Sequence, residues 1–232
     1  MRWLALVALI ACAPKGLNFL GPIDGMGQAP SVTLDARAER TEGAAAAPPA
    51  PRTPEDVSAA VVRAAAGFVG AKRLVVAGST YRYDCSGFVE AVYAAAGSPI
   101  RGSTAMMYEA ARSADVLHRR KRKVHAGDLV FWDDTYDRNT NGRRDDDLTH
   151  VGIVEGAARD GRVSILHLGG SGVRRITMDL RKKHVHTDEA GVTRNDYLRV
   201  RRAEDPWRTK YLAGELWVAY ASPWRRSAAG SP

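Results

Sequence analysis

Three side chains in this sequence have the types and order needed for nucleophilic chemistry: Cys85, His150 and His167. Cys85 opens the apolar run Ser86-Gly87-Phe88-Val89-Glu90-Ala91-Val92-Tyr93-Ala94-Ala95-Ala96, which Gly97 terminates, so the spacing predicts a helix with the thiol at its start. The first amides of a helix lack internal partners and its dipole is positive there. Both effects favour the thiolate, the nucleophilic form of cysteine. Such a nucleophile needs a base within hydrogen-bond reach, and the base needs a third group to orient its ring. His150 opens one predicted strand and His167 lies on the next. If the two strands form a hairpin, the imidazoles come side by side on one face, and the helix start must pack against that face.

The elements that would position these groups follow in chain order. Thr53-Pro54-Glu55-Asp56 is a helix start, with apolar Val57, Val61, Ala65 and Phe68 at helical spacing and a stop near Gly67 to Gly70. A loop through Gly78 and Ser79 leads to Cys85. On the helix that follows, Phe88, Val89, Val92 and Ala96 form the buried stripe. Ser103-Thr104-Ala105 begins a third helix that runs to about Ser113. After the basic run His118-Arg119-Arg120-Lys121-Arg122-Lys123, read as solvated surface, the period changes. Residues 127–132, 148–155 and 162–168 read as strands of an antiparallel sheet, with Leu198 to Val200 and Leu216 to Tyr220 as later strands. No element is assigned between about Arg174 and Asp196. Helices first and strands after give an α+β layout.

The chain has 232 residues, enough for one domain with extensions, and its 45% hydrophobic content supports a core. A net charge of +8 favours anionic partners such as a membrane surface or an anionic wall polymer. The chain has no paired-Cys zinc spacing and no aromatic-studded RNA-binding motif, so no nucleic-acid partner is expected.

Two cysteines are present, Cys12 and Cys85. Met1-Arg2-Trp3 and the apolar stretch Leu4 to Ala11 read as a cleaved export signal, too short for the ~20 apolar residues of a membrane span. Leu9-Ile10-Ala11-Cys12 resembles the lipobox of bacterial lipoproteins, in which the cysteine is lipidated and becomes the new N-terminus; a plain secretory signal is the alternative. A lipidated Cys12 leaves Cys85 as a free thiol outside the cytoplasm, where structural cysteines are normally paired. Residues 13–52, rich in Ala and Pro, read as a disordered tether.

Four blocks in order carry a family resemblance: Asp84-Cys85-Ser86-Gly87-Phe88-Val89, Gly127-Asp128-Leu129-Val130-Phe131, His150-Val151-Gly152-Ile153-Val154 and Ile165-Leu166-His167. They resemble the NlpC family of bacterial cell-wall cysteine peptidases. The resemblance implies a papain-like α+β fold with Cys85 as nucleophile, His150 as base and His167 as the residue orienting it. It implies peptidoglycan as partner, and as substrate a stem-peptide bond, commonly from D-glutamate to a diamino acid. Tyr81, Tyr83 and Ser86 are then the expected substrate-binding residues, and the Cys85 or Ser86 amide the expected oxyanion donor. The aromatic and Gly-Gly pair that family members carry before the Asp-Cys block are replaced by Val76 to Tyr83, with no Gly-Gly.

The segment from Asp137 reads D-x-N-x-N-G-x-x-D, the front of a calcium loop. Asp137, Asn139, Asn141 and Asp145 would donate side-chain oxygens and Arg143 its carbonyl. The twelfth position is Leu148, for which Asp146 or Asp147 would substitute. A metal-free acidic turn is the competing reading. The ion would be structural, and the chemistry needs no cofactor. The expectation is therefore a signal (1–12), a tether (13–52), a peptidase domain (53–225) and a short tail (226–232), exported to the cell envelope and lipid-anchored on the periplasmic side. An amidase cutting the sugar–peptide junction and a non-catalytic, calcium-stabilised wall-binding lipoprotein are the alternatives.

Overall fold

The structure, a computed structural model, describes residues 53–120, 123–203 and 205–227. The expected signal, the tether and residues 228–232 of the expected tail lie outside the described residues. Helix α1 spans Pro54–Gly67. Thr53 caps it by accepting from the Asp56 amide, and the Asp56 carboxylate accepts from the Thr53 amide in return, a reciprocal capping box. Strands β1 (Leu74–Val76) and β2 (Ser79–Tyr81) then form a small hairpin around Ala77-Gly78. At three residues each they are too short for an alternating pattern, so they read as loop in the sequence. Helix α2 (Cys85–Ala95) and helix α3 (Thr104–Ser113) follow.

The main sheet has six strands: β3 (Leu117–His118), β4 (Leu129–Trp132), β5 (His150–Ala157), β6 (Val163–Gly169), β7 (Gly172–Met178) and β8 (Trp217–Ala221). The spatial order is β3-β8-β4-β5-β6-β7, antiparallel throughout. The short helices α4 (Ala213–Leu216) and α5 (Trp224–Ser227) flank β8, and α5 crosses the expected 225/226 boundary.

Both faces of the sheet are covered. Leu129, Phe131, Val151, Ile153, Leu166 and Leu168 pack on Val57 and Val61 of α1 and Phe88 and Val92 of α2. On the other face Val130, Trp132, Val154, Ile165 and Met178 pack on Leu180, Leu216 and Tyr220. This double coverage explains why β4, β5 and β6 read as nearly continuous apolar runs. Helix α2 is buried on most of its circumference: Phe88, Val89, Ala91, Val92 and Tyr93 are all inaccessible to solvent.

The structure differs from the sequence reading in two places beyond Tyr81. Leu198 to Val200 form no strand; the nearest pairing is an isolated bridge between Tyr197 and Leu212. Arg199 turns inward and donates to the Asp134 carbonyl at 2.6 Å, which fixes an irregular backbone there. The unassigned stretch beginning at Arg174 holds most of β7. Its exposed Arg174 and Arg175 mask the pattern, because β7 is an edge strand and presents charge to solvent. The residues after β7 are irregular and are held by buried Asn195, which donates to the Lys182 and Val185 carbonyls and accepts from the Asp179 amide.

Asp128, one residue before β4, is fully buried. It accepts from Ser222 Oγ (2.6 Å), Trp224 Nε1 (2.9 Å) and the His125 amide (2.8 Å), and so ties the end of the chain to the sheet. A buried donor left unsatisfied costs about 1–3 kcal/mol. Asp128→Ala should therefore lower the unfolding free energy by about 3 kcal/mol, read from chemical denaturation; a loss under about 1 kcal/mol would show that the cluster is not structural.

Candidate active site

The nucleophile loop is built by two local devices. Asp84 is the N-cap of α2: its carboxylate accepts from the Gly87 amide at 2.7 Å, and its carbonyl accepts from Phe88. Ser86 Oγ donates to the same carboxylate at 2.9 Å, and Arg82 donates to Ser86 Oγ at 3.1 Å. Gly87 is required by close approach: a Cβ there would lie 2.0 Å from the Arg82 carbonyl oxygen. The Asp-Cys-Ser-Gly order thus folds the chain back on itself and leaves Cys85 as the first residue of the helix.

Cys85 is a free cysteine, partly buried. Its side-chain partner is the Thr104 hydroxyl, 3.8 Å from the sulfur. The backbone amides of Val151 and Ser86 also reach the sulfur. Burial pushes the thiol above its ordinary value, and the Thr104 hydroxyl and the two amides oppose that rise.

The two histidines meet as the sequence order implied, but on the Trp132 face of the sheet and not, as expected, on the face that α2 packs against. Ile153 lies opposite Leu166 in the β5–β6 ladder, so His150 and His167 fall on one face as diagonal neighbours. His150 Nε2 lies 2.8 Å from His167 Nδ1, with the rings edge to face at 82°. His150 also lies against the Trp132 ring. Burial pulls His150 down to about 4 and His167 to about 2, the latter helped by His150 and Arg174, so both rings are neutral at pH 7. For His150 Nδ1 to accept a proton, Nε2 must carry the hydrogen and donate to His167 Nδ1. His167 then carries its own hydrogen on Nε2, which is buried with no hydrogen-bond partner among the described residues.

The structure brings the sulfur to the amide of Val151, the residue after His150. No hydrogen bond among the described residues joins the sulfur to the imidazole. Such bonds are commonly long in the free enzyme and tighten on substrate.

The expected substrate residues are placed as follows. Tyr81 ends β2 half-buried against the helical core. Tyr83 donates its hydroxyl to the Ala71 carbonyl at 2.6 Å, which ties the ring to the loop after α1. The Ser86 hydroxyl is committed to the cap, so only its backbone amide is available at the sulfur. Thr104 is the residue the sequence reading missed: it marked the start of α3 there, but nothing local tied that start to Cys85.

In the 133–149 loop, Asp137 accepts from the Asn141 and Gly142 amides, Asn139 Oδ1 from the Asn141 amide, and Asn141 Oδ1 from the Arg143 amide. Gly142 turns the loop at φ 73°. Asp145 faces the Asn141 side-chain amide at 3.1 Å. Asp146 is buried and engaged by the Arg138 amide, so it does not take the twelfth position. Leu148 sits there with its amide on Asp133, and Asp147 is exposed. Among the described residues no three His, Cys, Asp or Glu converge as a metal-holding group. A cation would therefore rest on Asn and carbonyl oxygens beside Asp137 and Asp145, a donor set that suits a hard ion.

Residues 76–168 match the family model of the CHAP domain. This window is less than half of the 232-residue chain, and over it the sequence is similar to a CHAP domain. The matched window contains Cys85, His150 and His167 and stops one residue past the last of them. CHAP domains are typically Cys/His-dependent amidases or peptidases, the class that this window resembles. A solved structure of an NLP/P60-family protein from Staphylococcus aureus, described as similar to lipoprotein, is 23% identical to this chain. That likeness covers 56% of this chain and 38% of the other, with a TM-score of 0.37. No curated protein matches the chain.

The pH dependence of a site with this geometry follows from the burial of His150. The base must be neutral to take the thiol proton, and it is neutral above about 4. The acid limb of kcat/KM should fall near pH 4 rather than at the ordinary histidine value of 6.5. A midpoint near 6.5 would show that the buried neutral pair is not the working base.

Proposed function

We propose that the protein is a peptidoglycan endopeptidase that cleaves a stem-peptide amide, the bond from D-glutamate to a diamino acid. The observation that carries this reading is the hydrogen-bonded pair His150–His167, with the amide of Val151, the next residue after His150, reaching a thiol at a capped helix start. Substrate closes the gap between sulfur and base. The thiol proton passes to His150 Nδ1, and the sulfur attacks the carbonyl carbon. His167 Nδ1 accepts from His150 Nε2 and steadies the ring as it becomes charged. The Cys85 and Ser86 amides at the α2 start take the charge that develops on the carbonyl oxygen. His150 then gives its proton to the departing amine, and water releases the acyl group from Cys85.

Digestion of purified peptidoglycan, with new termini identified by mass spectrometry, tests this. A new amine on the diamino acid is expected, and Cys85→Ala should lower cleavage by at least about 10³-fold. A new terminus at the sugar–peptide junction would make the enzyme an amidase instead. No Cys85-dependent cleavage at all would leave a non-catalytic wall-binding protein.

We propose further that the export leader and Cys12 place the enzyme in the envelope, lipid-anchored and facing the periplasm. Among the described residues no helix is long and apolar enough to cross a membrane. The loop of Asp137, Asn139, Asn141, Arg143 and Asp145 takes calcium as a structural ion, and steadies the segment leading into His150. Saturating calcium should raise Tm by about 5 °C, and Asp137→Ala should abolish the shift; a Tm indifferent to calcium and to chelation would remove the ion from the account.

A further inference from the structure

The catalytic reading assigns nothing to α3, yet its first residue touches the sulfur. Thr104 is buried, 6% exposed, and its Oγ1 lies 3.8 Å from Cys85 Sγ. The sulfur is the hydroxyl's side-chain partner, and Thr104 is the sulfur's. Thr104 is the first residue of a ten-residue helix capped by Ser103, whose hydroxyl accepts from the Met106 amide. The amides of Thr104 and Ala105 have no acceptor within the helix at the positive end of α3.

The placement is held by a separate strut. Glu90 lies on α2, five residues beyond the nucleophile, and its carboxylate accepts from the Gly102 amide at 2.7 Å. The helix that carries Cys85 thus also fixes the entry of α3.

We propose that Thr104 is a positioning residue of the nucleophile: its hydroxyl donates to the sulfur and brings a second helix N-terminus, that of α3, to the thiol already at the start of α2. This rests on Cys85 being the nucleophile. The sulfur needs such help, because burial and the Asp84 carboxylate both disfavour its charged form. A hydroxyl can turn its hydrogen toward the thiolate, and a hydrogen bond to a charged group is stronger than one to a neutral group. The contact therefore strengthens as the proton leaves, which lowers the barrier to attack.

The test is the pH profile of Cys85 alkylation by iodoacetamide in the full chain, read on the Cys85 peptide by mass spectrometry so that Cys12 does not contribute. Thr104→Val should slow alkylation at neutral pH about tenfold and move its midpoint up by about one pH unit. Thr104→Ser, which keeps the hydroxyl, should recover most of the rate. A native profile in folded Thr104→Val would overturn the proposal. Glu90→Ala leaves Thr104 in place but releases the strut, and should move the midpoint in the same direction. If Thr104→Val does not fold, an unchanged profile in Glu90→Ala overturns the proposal. Alkylation needs no wall substrate. A shifted profile without peptidoglycan cleavage would sink the endopeptidase reading and leave Thr104 standing; Cys85-dependent cleavage with an unshifted profile would do the reverse.

Discussion

Helix α2 is apolar on most of its circumference, so it is stable only inside the molecule, covered by α1 on one side and the sheet on another. That requirement governs the site. A buried helix must still satisfy its first amides, and water cannot do it for all of them. Asp84 supplies one partner as N-cap, and Ser86 and Arg82 hold Asp84 in place. The remaining amides at the start of α2 are left with the sulfur and whatever approaches it. The chemistry is thus seated at the one end of the core helix that packing cannot finish.

The same burial sets the electrostatics. Two buried imidazoles on β5 and β6 lose the solvation that would favour their charged forms, and the Cys85 thiol loses part of the solvation that would favour the thiolate. The thiol and the two imidazoles are therefore uncharged at neutral pH. In the proposed mechanism charge separates only when the proton moves from sulfur to His150, and the structure already holds dipoles that suit both products. His167 faces the imidazole, and Thr104 with the amides of Ser86 and Val151 faces the sulfur. Preorganised dipoles of this kind cost nothing to orient at the moment of reaction.

The fold class, α1 to α3 and the strands β4, β5 and β6 were legible because each carries a local signature: a cap, a helical apolar stripe or a buried β-rich run. Strand β7 was missed because an edge strand wears charge, and β1 and β2 because three residues show no period. The strand expected at Leu198 failed for the opposite reason: its composition suited a strand, but Arg199 found the Asp134 carbonyl and not a neighbouring ladder. Of the candidate site, Cys85, His150 and His167 were readable from motif order, while Tyr83 and Ser86 have their hydroxyls tied to Ala71 and Asp84.

The sequence by itself determined the thiol at a helix start, the two imidazoles on adjacent strands, and the loop of oxygen donors before His150. These are properties of neighbours in the chain, fixed by capping, periodicity and turn chemistry. Only the tertiary structure decided that Thr104 faces the sulfur, that Glu90 fixes the loop carrying it, and that Asp128 gathers Ser222, Trp224 and the His125 amide. Thr104 lies 19 residues from Cys85, and Ser222 lies 94 from Asp128. Contacts across such separations are chosen by how buried surfaces pack, and no local pattern records them.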